Sequence, residues 1–249
     1  MVRHFFRNST TLSGALALVL LLSSSLATWA QNTGLTSQQV AVNWTPPNRG
    51  APTQTEGAGT RDGGTCFEGE TMPNPPLTAL MPINSLALTV AERPTFFVYI
   101  PPTSAPTAEF VLKDENEEDV YKTTLTLPGK SGIMMVSLPN TVKPLETGKT
   151  YRWYFDLVCN SGKRIFLDRL MVERIIPSAA LQSALLKTPG RDRPAVYAQN
   201  GLWYDTLSTL AQMYRSSPND AVSASWKQLL ESAGLKEIAD KPLVDCCQP

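Results

Sequence analysis

Four groups of residues in this 249-residue chain have types and spacings that could do chemistry. Gly129-Lys130-Ser131 and Gly148-Lys149-Thr150 match the end of a phosphate-binding loop, but Thr124 and Lys143 stand where its first glycine belongs. Both also precede strand patterns, so no helix N-terminus faces a phosphate. The run Asp114 to Asp119 begins like a calcium loop, yet Asp119 replaces the glycine at the sixth position and Leu125 the glutamate at the twelfth. It reads as a solvated hairpin turn. Asp156 and Asp168 fall on neighbouring strand patterns and form a carboxylate pair of the kind glycoside hydrolysis uses, which needs one raised and one ordinary pKa. The last group is the cysteines, Cys66, Cys159, Cys246 and Cys247.

Histidine decides what these groups cannot do. The chain has 1, His4, and it lies in an N-terminal segment with the form of a secretory signal. Arg3, His4 and Arg7 make the positive region, Leu12 to Leu22 the apolar core, and small residues allow cleavage after Ala27 or Ala30. The apolar run is shorter than the ~20 residues of a membrane span. Residues 1–30 are thus expected to be removed, leaving a chain without histidine. That excludes Ser-His-Asp and Cys-His catalysis and histidine-ligated metals. No S-x-x-K, G-x-S-x-G or C-x-x-C motif is present, so neither an enzyme nor a cofactor site is expected. Cleavage removes Arg3 and Arg7 from 22 basic residues and none of the 22 acidic ones. The near-neutral remainder has no basic tract for nucleic acid.

The elements that must position these residues follow from the hydrophobic pattern. Residues 31–76 are rich in Gly, Pro, Thr, Asn and Gln and read as a leader or linker, with GTRDGGTC tied down through Cys66. Residues 77–176 contain about eight short β patterns, among them TFFVYI, AEFVLKD, GIMMVSL, TYRWYFDLVC and RIFLDRLMVERI. This predicts an antiparallel β-sandwich of immunoglobulin or fibronectin-III type. Leu145, Gly148 and Tyr151 have the spacing of a tyrosine corner at the start of the sixth strand. Asn160-Ser161-Gly162 predicts a hairpin in which Leu157 faces Ile165, Phe155 faces Leu167, Trp153 faces Arg169 and Tyr151 faces Met171. The other face of that hairpin would carry Tyr154, Asp156, Val158, Phe166, Leu170 and Val172, too apolar to stand simply in water. Either C-terminal helices cover it or a protein or glycan partner does. Residues 177–249 change to helical periodicity, with Ser178 as an N-cap and one tetratricopeptide-like helix running from Gly201 to Ala211.

In an exported protein the cysteines suggest a disulfide. Cys246 and Cys247 are adjacent and poorly placed to bridge each other; they are either terminal thiols or paired between chains. In an immunoglobulin-like sandwich the first strand begins at the pole where the sixth ends, so Cys66 is expected to bridge Cys159.

The combination of AGTR (58–61) with Cys66, LTALMP (77–82), RPTFFVYIP (93–101), AEFVLKDE (108–115), YRWYFDLVC (151–159) and GLWYDTLSTLA (201–211) resembles a family of secreted cyanobacterial proteins known only as a domain of unknown function. The resemblance implies export to the periplasm or beyond and implies no activity. The expectation is an exported envelope protein that binds or builds. Its partner surface is expected at Tyr154, Asp156, Phe166, Trp203 and Tyr204. The alternatives are a carboxylate glycan hydrolase, or a subunit of a secreted assembly docked through Trp203 and Tyr204.

Overall fold

Residues 41–48, 59–61, 66–67, 72–82 and 86–245 are described by a computed structural model. The expected signal and the Cys246-Cys247 doublet lie outside these residues. Strict alternation builds the central strands. In β5 (Thr107–Lys113) and β8 (Thr150–Val158) every second residue is buried, including Phe110, Leu112, Trp153, Phe155 and Leu157. All eight predicted strand patterns form strands.

The larger sheet runs β1 (Gly59–Arg61), β9 (Arg164–Arg174), β8, β5, β6 (Asp119–Thr126), and β3 (Leu88–Thr89) joins β9 in parallel. The smaller sheet runs β2 (Thr78–Ala79), β4 (Thr95–Ile100), β7 (Gly132–Ser137). The C-terminal segment continues its edge: the Ile133 N–H donates to the Pro242 carbonyl at 2.7 Å and the Val244 N–H to that of Ile133 at 2.9 Å. The sheets meet through Phe96, Phe110 and Trp153, whose ring centroids lie 5.0 to 6.0 Å apart. The tyrosine corner is present, with the Tyr151 hydroxyl accepting the Glu146 N–H at 2.9 Å.

The β8–β9 hairpin follows the predicted register at its tip and departs from it further on. Leu157 faces Ile165 and Phe155 faces Leu167, but Trp153 faces Leu170 and Tyr151 faces Val172. One extra residue in β9, at Asp168-Arg169, makes a bulge. The slip turns Leu170 and Val172 into the core, where both are buried, and removes them from the outer face on which the sequence placed them.

Four helices follow: α1 (Ala179–Lys187), α2 (Arg193–Gln199), α3 (Trp203–Ser216) and α4 (Asp220–Ser232). Ser178 caps α1 through the Leu181 N–H, and Asn219 caps α4 through that of Val222. The helices cover the smaller sheet, not the outer face of the larger one. Alternate residues of β4 point to opposite faces, and both are buried: Phe96 meets Trp153 of the larger sheet, and Phe97 meets Trp226 of α4 at 6.2 Å. Within the segment read as a leader, Val42 and Trp44 join the core. Trp44 stands edge-on to Trp203 at 5.0 Å, and its backbone N–H donates to Ser232 Oγ at 2.8 Å. Apolar side chains inside a polar stretch are enough to anchor it.

Candidate functional site: the outer face of the larger sheet

The five residues expected to form a partner surface do not come together. Trp203 and Tyr204 are 0% and 1% exposed. Trp203 Nε1 donates to the Leu80 carbonyl at 2.7 Å. The Tyr204 hydroxyl accepts from Trp153 Nε1 at 2.9 Å and donates to the Met171 carbonyl at 3.0 Å. The first turn of α3 is wedged into the sandwich, where two large amphipathic rings satisfy their polar atoms on core partners, so neither ring can dock a partner. Burial pushes the Tyr204 hydroxyl well above its ordinary range.

Tyr154, Asp156 and Phe166 do share one face. With Val111, Lys113 and Arg164 they line a depression of about 200 Å³ on the outer side of β5, β8 and β9. Glu109 and Asp156 are direct cross-strand neighbours, an arrangement that like charges disfavour. Arg164 resolves it by donating to Glu109 Oε1 at 3.1 Å and to Asp156 Oδ2 at 2.9 Å, while Lys122 reaches Glu109 from β6 at 3.3 Å. Burial raises the Glu109 carboxyl, but hydrogen bonds from Arg164 and Lys122 outweigh it and hold the group below its ordinary value. The Tyr154 hydroxyl donates to Glu117 Oε2 at 3.1 Å, and Arg152 pairs with the other oxygen at 2.7 Å. An aromatic pair, an aliphatic floor and a neutralised charge ladder can recognise a mixed apolar and polar surface. Glycosidic acid catalysis would need a raised carboxyl, and Glu109 moves the other way. The side chain of Asp168 lies outside the described residues.

The acidic run is a hairpin tip. Asp114 Oδ1 accepts the N–H groups of Asn116 and Glu118 at 2.8 and 3.0 Å, holding the turn, and Glu117 takes φ 63°. Among the described residues no group of three His, Cys, Asp or Glu could hold a metal ion, and no helix is long and apolar enough to cross a membrane. The predicted disulfide is formed: Cys66 and Cys159, 93 residues apart in sequence, have Cα atoms 5.4 Å apart.

Sequence reasoning missed Asp205, whose carboxylate is buried in the first turn of α3 and accepts the Val90 N–H at 3.1 Å. Burial pushes its carboxyl up to about 6, against hydrogen bonds from the Thr89 hydroxyl and the Val90 amide. The available signal was an acid between the large apolar rings of Trp203-Tyr204 and the apolar face of α3.

No curated protein and no solved structure matches the chain. The family model described as Domain of Unknown Function (DUF928) matches residues 56–243, a span that takes in β1 through the end of the helices, and the chain belongs to that family.

Proposed function

We propose that the protein is an exported, non-enzymatic module of a cyanobacterial cell envelope that binds a protein or glycan partner through the outer face of its larger sheet. The observation that carries this reading is the depression between Tyr154 and Phe166, with the Glu109–Arg164–Asp156 ladder along one side. Aromatic rings with low rotamer entropy beside an arginine are the side chains that dominate recognition surfaces. The signal-like N-terminus and the Cys66–Cys159 disulfide support export into an oxidising compartment. Carboxylate hydrolysis is disfavoured because Asp156 is engaged by Arg164 at 2.9 Å, and ion pairs of this kind are commonly structural.

The test is capture from envelope extract by the tagged mature chain, with the thiols of the Cys246-Cys247 doublet blocked. A partner held by the wild type is expected to fall at least tenfold with Y154A/F166A, at matched melting temperature. Equal capture by the variant would remove the face from the account.

A further inference from the structure

A second concavity lies on the smaller sheet, where α3 passes over the side of β4 and β7 that faces away from the larger sheet. It encloses about 460 Å³, within the ~300–1,000 Å³ usual for small-molecule sites. Its floor is the cross-strand pair Phe97 and Met135, and its rim carries Thr95 and Ser137, whose hydroxyls share a hydrogen bond of 2.8 Å. Gln212 and Arg215 project from α3, three residues apart and therefore on one helix face. Arg215 is the single charged residue in this lining. Its guanidinium is already occupied by a carboxylate: Nη2 donates to Asp245 Oδ1 at 2.7 Å. The Asp245 side chain is 96% exposed. Exposed ion pairs are weak and readily exchanged for another anion.

We propose that this groove binds a small aliphatic carboxylate, its hydrocarbon chain on Phe97 and Met135 and its carboxylate on Arg215, and that Asp245 occupies the cation until the ligand displaces it. The chemistry follows from the lining. One cation with neutral hydroxyls and an amide suits a monoanion, and a guanidinium matches the two oxygens of a carboxylate. An apolar floor selects an acid with a hydrocarbon body over acetate or phosphate. The site is separate from the Tyr154–Phe166 face and does not depend on it.

Decanoate is the probe, titrated calorimetrically into the mature chain and into the variants D245N, R215Q and D245N/M135W, each first checked for an unchanged melting transition. D245N is expected to bind decanoate at least fivefold more tightly than the wild type, since its competitor carboxylate is gone. R215Q is expected to bind at least fivefold more weakly than the wild type, and D245N/M135W at least fivefold more weakly than D245N. Decanol, which lacks the charge, is expected to bind D245N at least fivefold more weakly than decanoate. Overturning outcomes are an equal affinity of R215Q and wild type, equal binding of decanol and decanoate, or no saturable heat with D245N.

Discussion

Single residues in this protein show how burial decides between chemistry and structure. Tyr204 and Trp203 carry polar atoms, yet both spend them inside the core, on the Leu80 and Met171 carbonyls and the Trp153 indole. Asp205 is the more consequential case, because its carboxyl must be protonated or be held charged by three donors from Thr89 to Ala91. A carboxyl whose pKa is raised in the fold favours the folded state below its unfolded value near 3.8, and that contribution is lost as pH rises through about 6. Replacement by Asn removes the titration while keeping an acceptor for Val90. Relative to wild type, D205N is expected to gain about 2 kcal/mol of stability between pH 4 and pH 7.5. Urea unfolding at the two pH values measures this; an unchanged difference between the proteins would show that Asp205 does not titrate in that window.

Elements were legible where their signals were local, and illegible where a neighbour decided the outcome. The eight strand patterns, the Ser178 cap and the tyrosine corner each rest on residues close in sequence, and each is formed. The tip of the β8–β9 hairpin was readable from Asn160-Ser161-Gly162, and Gly162 takes φ 79° there. The bulge was not anticipated, although the apolar series Ile165, Leu167, Leu170, Val172 contains one step of three, the mark of an extra residue in a period of two. The packing of Val42 and Trp44 could not be read, because the segment around them is polar and its partners, Ala198, Trp203 and Ser232, lie far along the chain in α2, α3 and α4. Gly201 marks that junction. It takes φ 70°, and a Cβ there would lie 2.9 Å from Pro47. Alanine at Gly201 is expected to cost about 1 to 3 kcal/mol. Alanine at Gly129, with φ 69° and open space around it, incurs the backbone cost alone. The unfolding midpoints of the two variants check the difference; equal losses would mean that Pro47 gives way freely.

At the scale of the molecule, the disulfide, the helical cover and the open face divide the labour. The Cys66–Cys159 bond closes a loop of 93 residues and fixes the start of the sandwich to the end of β8. In the chain-entropy model, its removal in C66S/C159S is expected to cost about 4 to 5 kcal/mol. Chemical denaturation of this variant beside wild type reads that loss, and a cost below about 1 kcal/mol would assign the fixing to the core alone. The helices pack on the smaller sheet, and the outer face of the larger sheet, which they do not cover, is the one we propose for partner recognition. Tyr154, Asp156 and Phe166 belong to the face, whereas Trp203 and Tyr204 belong to the joint that holds the helices on. The most direct test places a photo-reactive p-benzoylphenylalanine at position 154 or, as a control on α4, at position 227, and irradiates the mature chain in envelope extract. An adduct with a second molecule from position 154 and none from position 227 is predicted. Cross-links from position 154 confined to its own chain, or equal adducts from both positions, would contradict it.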